Sequence, residues 1–127
     1  MTANDAEKAF LALAGWQSAG SGSTDEAPAI CRMLLNRSAA TSWTIAAVCE
    51  RHNRESSGDH FLLPDGRDPH WTALLRRTDD VFSRSTADLP NGAIDCRDMS
   101  LVPAPAIPEG MTFTSRVGRV AFFRNPA

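Results

Sequence analysis

Several side chains in this 127-residue chain are of types that could support chemistry. Asp25 and Glu26 are adjacent carboxylates, the residue type that general acid catalysis uses when its surroundings raise a carboxyl pKa. His52, His60 and His70 are interleaved with Asp59, Asp65 and Asp68. Their spacing fits no tetrahedral zinc pattern and they fall in a polar stretch, so no metal site is expected. Asp65-Gly66-Arg67-Asp68 lacks the remaining ligand positions and the closing Glu of a calcium loop, and reads as a loop end that caps a helix. Cys31, Cys49 and Cys96 form an odd set without CxxC spacing and read as free thiols. Ser18 follows a helical pattern rather than a strand and lacks the first Gly of a nucleophile elbow. No strand leads into Gly20-Ser21-Gly22, so a phosphate cradle fails its context and no cofactor is expected. Trp16, Trp43 and Trp71 have faces that could stack on sugars, although tryptophans at helical spacing more often pack in a core.

These groups must be positioned by elements that the hydrophobic spacing outlines. Asp5 to Trp16 reads as a helix with Phe10, Leu13 and Ala14 on one face, running into the small-residue segment Ser18 to Ser23. Thr24 is placed to cap a second helix, Asp25 and Glu26 suit its positive end, and Pro28 still fits the first turn. Ile30, Met33, Leu34 and Arg37 then recur at i, i+3, i+4 and i+7, the pattern of an amphipathic helix to about Arg37. Ser42 is placed to cap a shorter helix from Trp43 to about Arg51, with Ile45, Val48 and Cys49 inward, and Asn53 to Arg67 reads as a long surface loop. Asp68-Pro69 opens a fourth helix, to about Ser85, whose core face is Trp71, Leu74, Leu75, Thr78, Val81 and Phe82. Past Asp88, Pro90, Pro103, Pro105 and Pro108 exclude long helices, and the segments from Ala93 to Cys96 and from Val117 to Arg124 read as two strands that pair antiparallel.

The chain therefore reads as one α+β domain over residues 1–127, mainly α, with about four helices and a short antiparallel β element near the C-terminus. Apolar residues make up 43 %, enough for a folded core. Thirteen basic against fifteen acidic residues give no electrostatic case for nucleic acid. No apolar run is long enough for membrane insertion, and the N-terminal residues do not form a signal peptide, so the expected place of synthesis is the cytoplasm.

Three blocks in order give the sequence a resemblance to the SleB-type cell-wall hydrolases, the group of spore cortex-lytic enzymes and phage lysins. The first runs from Trp16, matching an aromatic residue ahead of a Glu-Ala-Arg-Gly-Glu block, through Ala29, Ile30, Leu34, Leu35, Asn36 and Arg37 of a helix ending Asn-Arg. The second is Asp88-Leu89-Pro90-Asn91-Gly92-Ala93, similar to an Asp-Pro-Thr-Gly-Gly-Ala turn. The third, Val117 to Phe123, resembles a closing Ile-Gly-x-His-x-Phe-Tyr strand. The resemblance implies a lysozyme-like small domain in which Trp16, Ser18, Asn36, Asp88, Asn91 and Gly92 surround one cleft.

The same alignment removes the chemistry. Where the family carries its catalytic Glu this chain has Ser18, or Gln17 in the register one residue earlier; the Arg position is Gly20, the second Glu is Gly22 and the closing His is Val120. Neither Ser18 nor Gln17 can protonate a glycosidic oxygen. No catalytic residue is expected, and Asp25 and Glu26 are the substitute candidates for an acid; their place at a helix start favours the ionised form. The expected function is that of a degenerate peptidoglycan-hydrolase-like domain, binding or structural, in a phage-derived or wall-associated particle. Its expected partners are peptidoglycan or another glycan and other proteins of a virion or assembly. The competing readings are an active hydrolase with a substitute acid and a cytoplasmic adaptor domain.

Overall fold

Asp68 accepts a hydrogen bond on Oδ1 from the His70 amide at 2.9 Å, and Pro69 follows at the first helical position, so the fourth helix starts where the sequence places it. The computed structural model describes residues 3–19, 25–57, 63–83, 88–100 and 105–126. Thr24, the segment 20–23, Asp59, His60, Phe61, Leu62 and Ser85, on which expectations above fell, lie outside them. Within the described residues the order is α1 (Ala3–Ala19), α2 (Glu26–Ala40), α3 (Ile45–Ser57), α4 (Pro69–Phe82), β1 (Asp95–Asp98), β2 (Thr112–Val117) and β3 (Val120–Arg124). The fold is α+β, mainly α.

The core sits between α1 and α2. α1 packs against the other three helices, and α2 touches α3, α4 and β1. Ala27 through Leu35 are all buried, so α2 is enclosed on every side over its first turns rather than amphipathic as its spacing suggests. The two helices cross closely at Gly15, where an added Cβ would lie 2.8 Å from Cys31 Sγ and 3.0 Å from the Ala27 carbonyl oxygen. Leu11, Ile30, Met33, Leu34, Val48, Leu74 and Phe122 fill the remaining space.

Several boundaries differ from the sequence reading: α2 runs past Arg37 to Ala40, the first strand is Asp95–Asp98 and not Ala93 to Cys96, and the last begins at Val120 and not Val117. α1 continues through Ser18 to Ala19, so the small residues at its end are helical. α3 begins at Ile45 and not Trp43; its cap is Thr44, whose Oγ1 accepts from the Ala47 amide, in place of Ser42. α3 also runs on to Ser57, where a loop was expected, because Glu50–Arg54 and Arg51–Glu55 pairs one turn apart support an exposed polar helix. In α4, Leu74, Thr78 and Val81 are buried and Trp71 and Phe82 pack beside them, but Leu75 is 38 % exposed and does not belong to the core face.

The sheet has three strands, not two, in the order β1-β3-β2, all antiparallel. β3 is central, and Val120 to Phe123 are buried on both faces. β1 pairs with it from Asp95↔Phe123 to Asp98↔Val120. β2, absent from the sequence reading, joins β3 through Gly118-Arg119, with Val117 opposite Val120. Gly118 has φ +57°, as the first central residue of a tight hairpin turn demands. Its Cα also faces the Glu26 side chain, where a Cβ would come within 2.7 Å. At the Phe113–Ser115 irregularity, the Thr114 hydroxyl donates to the Pro90 carbonyl at 2.6 Å and ties the sheet to the Asp88 turn.

Candidate functional site

A cleft of about 1020 Å³ opens between the C-terminal end of α1, one side of α3 and β1. Gln17 and Ser18 come from the last turn of α1, Trp43, Val48, Arg51, His52 and Glu55 from α3 and the residues before it, and Ile94 to Asp98 from β1 and its approach; Arg37 of α2 reaches the same space. The outermost carbonyls of a helix have no partner inside it. Here the Ser18 carbonyl accepts from Arg119 Nη2 at 3.3 Å, which fixes the end of α1 to the tip of the β2–β3 hairpin.

The Ser18 hydroxyl lies 2.6 Å from His52 Nε2. His52 shares the inward side of α3 with Val48 and Cys49 and is 6 % exposed. Burial pushes its pKa down from 6.5 to about 4; the Arg37 charge adds to this and the Asp95 carboxylate opposes it. The imidazole is therefore neutral at pH 7.

Arg37 donates through Nε to the Ile94 carbonyl at 2.6 Å and through Nη2 to Asp95 Oδ1 at 3.3 Å. Arg97 Nη1 donates to the same Asp95 oxygen at 2.8 Å. Asp95 is thus an ion-paired carboxylate on the cleft wall. For Asp98, burial raises the pKa, but hydrogen bonds from the Ser100 hydroxyl and amide and the Arg119 charge outweigh it, so the carboxyl lies below its ordinary value. Burial pushes the Cys96 thiol up to about 12; Asp95 adds to that shift, and Arg37 and Arg97 act against it. Cys96 is consequently protonated and a poor nucleophile.

The residues proposed from sequence divide between this cleft and other places. Ser18 and Gln17 line it. Trp16 does not; its ring meets Trp71 edge-on at 5.6 Å, between α1 and α4. Asn36 Nδ2 donates to Asp88 Oδ2 at 3.4 Å and to the Ala93 carbonyl at 3.2 Å, and the Gly92 amide donates to Asp88 Oδ2 at 3.0 Å. Asn36, Asp88, Asn91 and Gly92 thereby form a knot between α2 and the turn before β1, in which Asn91 and Gly92 take φ of +54° and +79°. None of these four lines the cleft.

The substitute acids also lie elsewhere. Asp25 is ion-paired with Arg77 beside a separate pocket of about 210 Å³, and Glu26 Oε2 lies 3.2 Å from Arg119 Nε. Among the described residues, no group of three or more His, Cys, Asp or Glu side chains could hold a metal ion. No helix among them is long and apolar enough to cross a membrane.

His52, Trp43, Arg37 and Asp95 are among the cleft residues that sequence reasoning did not assign to it. Trp43 is 45 % exposed, with the Arg51 guanidinium 5.1 Å from its ring centre. His52 carried a legible signal, falling four residues after Val48 and three after Cys49 on the inward stripe. Comparison with family models, with curated proteins and with solved structures found no match.

Proposed function

We propose that this domain holds a glycan strand of the peptidoglycan type in the large cleft and does not cut the glycosidic bond. The observation that carries this reading is the cleft's combination of an exposed tryptophan face with a polar wall. Trp43 stays 45 % exposed although the Arg51 guanidinium lies over its ring, and its exposed part is an apolar surface for a sugar ring, while Arg51, Glu55, Arg37 and Asp95 offer donors and acceptors for the hydroxyls. Lack of turnover follows from the acid–base inventory. Glycoside hydrolysis needs one protonated carboxylic acid at the scissile oxygen. At the position where the resembled family has that acid, this chain presents Ser18, hydrogen-bonded to His52, or in the register one residue earlier Gln17. The cleft carboxylates Asp95 and Glu55 are ion-paired, Asp95 with two arginines and Glu55 with Arg51, and Asp98 is held in its ionised form. Asp25 and Glu26 do not line the cleft. The lysozyme-like ancestry and a place in a wall-associated or phage-derived assembly rest on the sequence resemblance.

The test is co-sedimentation with purified insoluble peptidoglycan, with turbidity followed in parallel. The expected result is retention without loss of turbidity. Trp43→Ala should weaken retention by roughly 2- to 10-fold, the contribution of one aromatic contact. Absence of retention would reject glycan holding, and turbidity loss at the rate of an active wall hydrolase would reject the non-lytic assignment.

A further inference from the structure

The Ser18–His52 pair lies where the cleft meets the buried side of α3. We infer that Ser18 is a nucleophile and His52 its general base, and that together they cleave small acyl esters carried on sugar hydroxyls. The ester class rests on the glycan reading above; the dyad does not.

The geometry is that of nucleophilic catalysis. Ser18 Oγ and His52 Nε2 are 2.6 Å apart, within the range expected of an activated nucleophile and its base. Ser18 is half-buried and lines the open cleft, so an acyl carbon can reach it, while the imidazole stands behind it, shielded from solvent. A base must be neutral to accept a proton, and burial keeps His52 so through the physiological range. With the ring proton on Nδ1, Nε2 accepts the serine hydroxyl proton. The Asp95 carboxylate, which favours the charged ring, offsets part of the penalty that burial and the Arg37 charge place on the imidazolium as it forms. Arg37 lines the same cleft, its guanidinium held by the Ile94 carbonyl and Asp95.

In the first half-reaction Oγ bonds to the acyl carbon, its proton moves to Nε2, and the ester C–O bond breaks. The leaving alkoxide takes the proton from Nε2 and departs as the sugar alcohol. In the second, water gives a proton to Nε2, its oxygen attacks the acyl-serine, and Oγ recovers the proton as the carboxylic acid leaves. An alkoxide leaves far more easily than an unprotonated amide nitrogen, which is why an ester is named and not the peptide links of the wall.

Hydrolysis of a glycosidic bond cannot use the pair, because neither a serine nor a neutral histidine supplies the required carboxylic acid. Cys96, the thiol on the same wall, is protonated and does not compete.

The experiment is covalent labelling of the full chain with a fluorophosphonate, which reports activated serines and needs no glycan, with p-nitrophenyl acetate hydrolysis read alongside. The label is expected on Ser18 by peptide mass spectrometry, absent in Ser18→Ala and slowed by roughly 10²-fold or more in His52→Gln. A wild-type protein unlabelled at Ser18, or labelled equally fast in His52→Gln, overturns the proposal. Because His52 is buried, His52→Gln is paired with Ser18→Cys, a small change at the cleft surface. Iodoacetamide should alkylate that cysteine at mildly acidic pH, where an ordinary thiol is almost unreactive; ordinary slow alkylation there also overturns it. Failure of labelling leaves peptidoglycan retention untouched, so the two readings fail separately.

Discussion

Ser18 Oγ and His52 Nε2 meet at 2.6 Å across the junction of α1 and α3, and the imidazole in that contact is almost wholly buried. The burial has a thermodynamic consequence. The folded-state pKa of His52, about 4, lies below its ordinary 6.5, so between those values the unfolded chain binds the extra proton. Stability contributed by the neutral ring is complete above about pH 6.5 and falls as pH drops towards 4, by roughly 3 kcal/mol for a shift of this size. Arg37 and Asp95 are the charged groups that act on the ring, and they pull in opposite directions. Denaturant midpoints measured across that window should decline for the wild type and stay nearly flat for His52→Gln. Equal slopes would show that the ring is not held neutral.

On α4, Leu74 is fully buried and Leu75, its neighbour, is 38 % exposed. Leu74→Ala should cost about 2–5 kcal/mol, the range for a filled core leucine. Leu75→Ala should cost under about 1 kcal/mol, as surface changes do. Urea unfolding of both variants is the check, and a reversal of the order would mean that the helix is rotated about its axis.

The contrast between those two leucines also indicates how far the sequence could be read. Asp68-Pro69 start α4 through local chemistry alone, so that boundary was legible. Whether Leu74 or Leu75 faces inward depends on where α1 and α2 lie, and both fit a helical stripe. α2 shows the spacing of an amphipathic helix, but burial on all sides over its first turns comes from its neighbours, which the spacing does not reveal. β2 was missed beside a proline-rich stretch, although Thr112 to Val117 followed by Gly118-Arg119 and Val120 to Phe123 carries the pattern of a tight hairpin. For the site, Ser18 was singled out by its position in a motif. Its partner His52 was not, because α3 was ended at Arg51 and the histidine was assigned to a loop. Nor could any local pattern place Trp43 in the cleft and Trp16 against Trp71.

Asp88 ties three pieces of backbone and side chain into one knot. Its Oδ2 accepts from the Gly92 amide and Asn36 Nδ2 and lies 3.9 Å from Arg32 Nη2, and Arg32 is itself 9 % exposed. Asp88→Ala leaves the guanidinium buried without its carboxylate, and removing one partner of a buried pair costs more than the pair contributes. A loss of about 2–4 kcal/mol is expected, with a smaller loss for Asp88→Asn, which keeps an acceptor. Thermal unfolding of the two variants decides this; equal melting temperatures for Asp88→Ala and wild type would reject the knot.

Gly118 is constrained twice, by φ of +57° and by the Glu26 side chain over its Cα. Gly118→Ala should destabilise by about 1–3 kcal/mol, the cost of holding a non-glycine residue in the left-handed region. Glu26→Ala removes the obstruction but leaves the backbone strain, so the double variant should recover only part of the loss relative to Glu26→Ala alone. A double-mutant cycle separates the two contributions. Full recovery would assign the whole effect to the side-chain clash.

The three thiols form the last test, because they differ in depth but share one electrostatic outcome. Cys31 and Cys49 are buried in the core, and Cys31 Sγ donates to the Leu11 carbonyl at 3.1 Å. Cys96 lies on β1, half-buried at the cleft wall. Burial pushes all three pKa values up to about 12. Since the thiolate is the reactive form, each should be nearly inert to a chromogenic disulfide reagent in mildly alkaline buffer. Against the denatured chain, where thiols titrate near 8.5, native reaction should be slower by roughly 10²-fold or more. Denaturant should release all three together if the domain unfolds as one cooperative unit. Rapid native reaction confined to Cys96 would mean that β1 separates from β3 without global unfolding, and that the cleft wall carrying Asp95 opens with it.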